Sequence, residues 1–82
     1  MMMAGIWELE LHGKNEYQAR ITIDAALRRA RSGTYRIRCI HGHRGGTALR
    51  DMIHRQYAAH PRVLRLETGA GAGITDLVLR EF

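Results

Sequence analysis

The sequence predicts a two-layer α/β sandwich in the order β-α-β-α-β-β, a four-stranded sheet with two helices on one face. Three observations carry that prediction. Apolar residues alternate with period two in four segments, they recur at helical spacing in two segments between them, and the changes of period fall at glycines, a proline or helix-capping residues. The chain has 82 residues, 45% of them hydrophobic, which places it among globular chains rather than disordered ones. A chain of that length forms one domain, 1–82, and buries only about 60% of the surface its unfolded form exposes.

The opening MMMAG, residues 1–5, carries no pattern and is expected to fray. In IWELEL, residues 6–11, Trp7, Leu9 and Leu11 alternate with Glu8 and Glu10, as in a half-buried strand. Asn15 with Gln18 three residues later has the form of a capping box. Ala19, Ile23, Ala26, Leu27 and Ala30 then make an apolar stripe at helical spacing, ended by Ser32 and Gly33. TYRIRCI, 34–40, alternates again, with Tyr35, Ile37 and Cys39 on one side. Thr47 is expected to cap a second helix whose stripe is Leu49, Met52, Ile53 and Gln56 or Tyr57, and Pro61 marks its end after His60. RVLRLET, 62–68, reads as the third strand, GAGAG, 69–73, as a flexible loop, and ITDLVLREF, 74–82, as the last strand. Strand parity turns Trp7, Leu9, Leu11, Ile37, Cys39, Leu64, Leu66, Leu77 and Leu79 toward the helices. It leaves Glu8, Glu10, Arg36, Arg38, Arg65, Glu67, Asp76 and Arg80 on an uncovered, charged face.

Twelve of the thirteen basic residues are arginine, Lys14 being the exception, and the formal net charge is +5. The planar fork of arginine matches phosphate oxygens, so this balance favours nucleic acid or another phosphorylated partner, against the plainer reading of a solvated basic surface. Cys39 is the only cysteine, which excludes an internal disulfide and points to the cytoplasm. The start of the chain has neither the basic region nor the apolar run of a signal peptide or membrane span.

If both βαβ units are right-handed crossovers, the first two strands run the same way and their ends, at His12 and His41, emerge at one edge of the sheet. IHGHRGGTALR, 40–50, follows the second strand there. A glycine-rich turn leading into a helix N-terminus presents backbone N–H groups that, with the helix dipole, attract an anion such as a phosphate. Lys14, Arg44 and Arg50 are the basic residues nearest this rim, and GAGAG joins it if the third strand is parallel. Cys39, His41 and His43 alternate, but a closed zinc site needs four ligands and there is no second cysteine, so zinc is rejected. GHRGGT lacks the spacing and lysine of a P-loop, and GAGAG precedes a strand rather than a helix.

LELHG at 9–13, IHGHRGGTALR at 40–50 and GAGAGITDLVL at 69–79 resemble the three signature blocks of the Smr (small MutS-related) domain family, in order and at the expected element boundaries. The resemblance covers essentially the whole chain. It implies a fold similar to the C-terminal domain of translation initiation factor three, a mixed sheet with the last strand antiparallel and inserted between the second and third. It also implies an endonuclease that nicks or cleaves DNA or RNA, of the kind used in DNA repair or recombination. Two departures stand out: Glu10 replaces the aspartate of the usual LDLHG, and HGHRGG replaces an HGxGxG-type loop.

The site expected from residues and resemblance together has Glu10, His12 and His41 as catalytic groups. Gly13, Lys14, Gly42, His43, Arg44, Gly45, Gly46, Thr47, Arg50, Gly71 and Gly73 hold the phosphate backbone. Glu10 acts as general base or as ligand to a divalent cation such as magnesium or manganese, and the imidazoles move protons. The plainer roles are a cross-strand ion pair of Glu10 with Arg38 and histidine rings that tie down neighbouring loops. Nucleic acid is the expected partner of a monomer that works alone or with other proteins. A non-catalytic nucleic-acid-binding module and a domain sensing a small phosphorylated molecule are the alternatives to the nuclease.

Overall fold

The computed structural model of the chain describes residues 2–3, 5–44 and 46–81. Its elements are β1 (Met2–Met3), β2 (Ile6–Glu10), α1 (Glu16–Arg29), β3 (Arg36–Ile40), α2 (Ala48–Tyr57), β4 (Arg65–Glu67) and β5 (Ile74–Val78). The alternating segments pair as the β-α-β-α-β-β order requires: β2 lies parallel to β3, with Leu9 opposite Cys39. β5 runs antiparallel between β3 and β4, so β2, β3 and β4 all point the same way. The result is the expected mixed four-stranded sheet, β2-β3-β5-β4, extended at one edge by β1. The expectation of a frayed start is corrected for Met2 and Met3, which pair antiparallel with Trp7 and Ile6. The Gly5 carbonyl accepts a hydrogen bond from Tyr35 N at 3.0 Å and so anchors this start to the strand next door.

Between sheet and helices lies the core, and its inward parity positions Leu9, Leu11, Ile37, Cys39 and Leu77 pack there with Ala19, Ile23 and Leu27 of α1 and Met52 and Ile53 of α2. Cys39 is fully buried. Burial, and then the negative charge of Asp76, push its thiol up to about 12, as befits a small core residue rather than a nucleophile. Of the two residues that might have completed the α2 stripe it is Tyr57 that is buried, while Gln56 is exposed.

Leu64 departs from the expected parity: it is 56% exposed, and Val63, 7% exposed, takes the inward place. The alternation in the sequence runs back to residue 62, but ladder pairing begins at Arg65. The residues before it sit in a turn closed by Val63 N donating to His60 O at 3.0 Å.

On the face away from the helices, the register sets Glu8, Arg38, Asp76 and Glu67 in one row and Ile6, Arg36, Val78 and Arg65 in the next. Asp76 is only 1% exposed. Arg36 Nη1 donates to it at 2.8 Å, Arg38 Nε and Nη2 at 2.9 and 3.0 Å, and Arg36 also meets Glu67 at 3.2 Å. Burial opposes ionisation of Asp76, yet the hydrogen bonds from Arg38 and Arg36 outweigh it and hold the carboxyl below its ordinary range.

Helix α1 starts where Asn15 and Gln18 exchange hydrogen bonds. Gln18 N donates to Asn15 Oδ1 at 2.8 Å and Asn15 N to Gln18 Oε1 at 3.0 Å. This is the capping box the spacing predicts. Asn15→Ala removes the acceptor of an otherwise orphaned amide and is expected to cost about 1 kcal/mol, which thermal unfolding checks as a loss of roughly 4–8 °C for a domain of this size. At its other end, the Arg62 guanidinium donates to the carbonyls of Leu27 and Ala30. Thr47 is the N-cap of α2, as expected, but makes no side-chain cap hydrogen bond. Its hydroxyl donates instead to Asp51 Oδ2 at 2.8 Å.

Candidate nucleic-acid interface

Parallel β2 and β3 deliver His12 and His41 to the same edge of the sheet, and the loop before β5 arrives there too. Gly73 O accepts hydrogen bonds from His41 N at 2.9 Å and Gly42 N at 3.0 Å. The three turns are stacked at van der Waals contact. A Cβ built on Gly73 would lie 2.9 Å from Gly42 Cα, and one on Gly42, whose φ is +79°, would lie 2.7 Å from His12 Cδ2. Glycine at 42 is therefore required by its left-handed backbone, and its bare Cα lets the His12 ring rest on it. Gly73→Ala drives a methyl into backbone that cannot swing aside. It is expected to cost about 1–3 kcal/mol and to move the amide resonances of Gly42 and His12 while leaving those of mid-α1 in place.

The two histidines, alike in sequence, have opposite surroundings. His12 is exposed, and its backbone N–H donates to Glu10 Oε1 at 2.8 Å. His41 is 6% exposed, with Nδ1 2.8 Å from Gly42 O and Nε2 2.9 Å from Thr75 Oγ1. A carbonyl only accepts, so Nδ1 carries a proton and donates to it, while Nε2 and the threonine hydroxyl share the second hydrogen bond. Both ring nitrogens are thus used inside the protein. Through these two contacts the His41 ring links the β3–α2 loop to β5, and it also lines the groove beside His12.

Glu10 is exposed, and the expected ion pair with Arg38 does not form. The register sets Glu10 opposite Ile40 and Arg38 opposite Glu8, and the guanidinium of Arg38 is turned to Asp76. Glu10 instead braces the turn that carries His12.

A groove of ≈ 420 Å³ opens beside these turns, lined by His12, Gly13 and Lys14 from the first, Gly46 and Ala48 from the start of α2, and His41. The structure does not bring the remaining expected contacts into it. His43 and Arg44 are exposed outside its walls, and Gly45 lies outside the described residues. Thr47 is turned to Asp51, and Arg50 reaches the same carboxylate at 3.2 Å. Arg50 borders a separate concavity with Thr68 and Ala72. Gly73 supports Gly42 from behind, and the Gly71 carbonyl accepts from Ile74 N at 3.2 Å; neither lines the groove.

Thr75 escaped the sequence reading. Its signal was a hydroxyl at an inward parity position two residues before Leu77, where an apolar side chain belongs unless a buried polar partner exists. Among the described residues no group of three His, Cys, Asp or Glu side chains could hold a metal ion. No helix of the described residues is long and apolar enough to cross a membrane.

The Smr domain family model matches residues 9–80. No curated protein sequence matches the chain. Among solved structures, the crystal structure of the Smr domain of Thermus thermophilus MutS2 is similar over 92% of this chain and 99% of that one, with 32% identity and a TM-score of 0.78. Its three signature blocks, its mixed sheet and these matches agree: the chain belongs to the Smr domain family.

Proposed function

We propose that the chain is an endonuclease that cleaves phosphodiester bonds in DNA or RNA, holding the backbone in the groove beside His12. The observation that carries this reading is the exposed His12 ring, seated on Gly42 at a groove that Lys14 shares. An imidazole so placed moves a proton to or from the reacting oxygens as water attacks phosphorus, while the Lys14 ammonium offsets phosphate charge. Because Thr47 leaves the first amides of α2 without a side-chain acceptor, the amino end of that helix adds further donors beside Gly46 and Ala48. Family membership supports a nucleic-acid substrate, and the net charge of +5 supports electrostatic capture of its backbone.

One observation favours the second reading, a module that binds nucleic acid without cutting it. With both nitrogens of His41 engaged, the site has one available imidazole where an acid–base pair was expected. Purified protein incubated with supercoiled plasmid and with structured RNA, with and without magnesium or manganese, separates the two. Cleavage lost in His12→Ala supports the nuclease; salt-sensitive binding with no cleavage in any condition establishes the binding module and removes the nuclease.

A further inference from the structure

We propose that the cleft between α1 and α2 holds a second phosphate site, four to twelve residues along α1 from Glu16 at the His12 groove, which takes a backbone phosphate of the same nucleic-acid strand. This concavity of ≈ 380 Å³ is lined by Arg20, Asp24 and Arg28 of α1, Tyr57 at the end of α2, and His60 and Arg62 beyond it. Three guanidiniums face one carboxylate. That carboxylate is partly satisfied, since the Tyr57 hydroxyl donates to Asp24 Oδ1 at 2.7 Å. Arg62 is committed to the carbonyl end of α1, and Arg55, the other basic residue between the helices, is paired with Glu16 at 3.3 Å. Arg20 and Arg28 form no ion pair among the described residues. His60 adds a donor: its Nδ1 accepts from Arg62 N at 3.1 Å, which leaves Nε2 carrying the proton and free to donate.

Guanidiniums without an ion pair, beside a ring donor in one concavity, fit the several oxygens of a phosphate better than a single carboxylate. Nucleic acid is the favoured source because both cavities open between the same two helices. From Glu16 at the groove to Arg20 and Arg28 at the pocket is about 6 to 18 Å of helix, a distance that a few nucleotides of one strand bridge. The inference rests on the nucleic-acid reading of the groove for its source of phosphate, and on the pocket alone for its chemistry.

The test compares fluorescence anisotropy of a labelled dinucleotide and a labelled twelve-nucleotide single strand on wild type, Lys14→Ala and the double variant Arg20→Ala/Arg28→Ala. Both arginines are exposed, so the double variant keeps the fold, whereas Arg62 is unsuitable because it caps α1. The expected result is a twelve-mer bound roughly fivefold or more weakly by the double variant, with a salt slope shallower by roughly 0.7 for each phosphate no longer neutralised, and an unchanged dinucleotide. Unchanged twelve-mer affinity and slope in the double variant, with binding weakened by Lys14→Ala, overturns the second site and leaves the groove intact. Arginine side-chain NMR with ribose 5-phosphate distinguishes the remaining case. Shifts confined to Arg20 and Arg28, in a protein that binds no oligonucleotide, support a phosphate pocket for a small ester and overturn the nucleic-acid reading.

Discussion

Replacing Asp76 by alanine is expected to destabilise the fold by about 3 kcal/mol, the lower end of the range for a broken buried ion pair. The carboxylate is 1% exposed and receives three hydrogen bonds from two arginines. Without it, Arg36 and Arg38 lose their shared buried acceptor and keep only the weaker influence of Glu67 on Arg36 and of Glu8 on Arg38. The cost stays at the lower end because both side chains retain 22–24% exposure and Arg36 keeps Glu67. Against the 4–12 kcal/mol typical of a chain this long, such a loss is large. It corresponds to a fall in Tm of about 12–24 °C, which calorimetry reads directly.

The same group gives the stability an acid limb. Its folded pKa is depressed below 3.8, the ordinary value. Between the two values the unfolded chain binds a proton that the folded chain does not. Its contribution is therefore complete above about pH 4 and is lost as pH falls through the folded value. Asp76→Asn is expected to flatten this limb below about pH 4, with the surface carboxylates Asp51 and Glu67 contributing little of what remains. A denaturant series repeated across that interval measures the slope, and an unaltered slope would show that the buried pair is not its origin.

Much of the fold was legible because its signals are local. Alternation in IWELEL and RIRCI marks strands whose inward residues Leu9, Ile37 and Cys39 are buried, and the Asn15 and Gln18 spacing marks a helix start that both side chains build. Insertion of β5 between β3 and β4 is a choice of pairing partner that no period encodes; the signature blocks carried it. The Leu64 error came from continuing a period across a turn that has none. The site was legible as a place and less so as a set of roles. His12 and His41 sit in the same His-Gly dipeptide at the end of a strand. The His41 ring is held by the hydroxyl of Thr75, 34 residues further on, and by the Gly42 carbonyl, whereas the His12 ring is exposed. Arg50 was expected at the rim by proximity, but its neighbour Asp51 holds it elsewhere.

That asymmetry makes His12→Ala the cleanest test of the chemistry. The variant is expected to lose cleavage by 10² to 10⁴, roughly the contribution of a positioned proton-transfer group, while oligonucleotide affinity changes by less than about threefold. The fold should survive, because the ring is exposed and what it covers is the Cα of Gly42. The main-chain N–H that Glu10 accepts from is kept by alanine, so the turn retains its brace. Lys14→Ala should behave in the opposite way, weakening binding and flattening the salt dependence by roughly 0.7 to 0.9 with the rate at saturating substrate largely intact. His41→Ala cannot make this separation. It removes the partner of a buried threonine hydroxyl, at a cost of about 1–3 kcal/mol, and frees the loop on which the His12 ring rests, so activity and stability fall together. A His12→Ala protein that cuts as fast as wild type would assign the proton transfer to some other group and leave His12 a packing residue for Gly42.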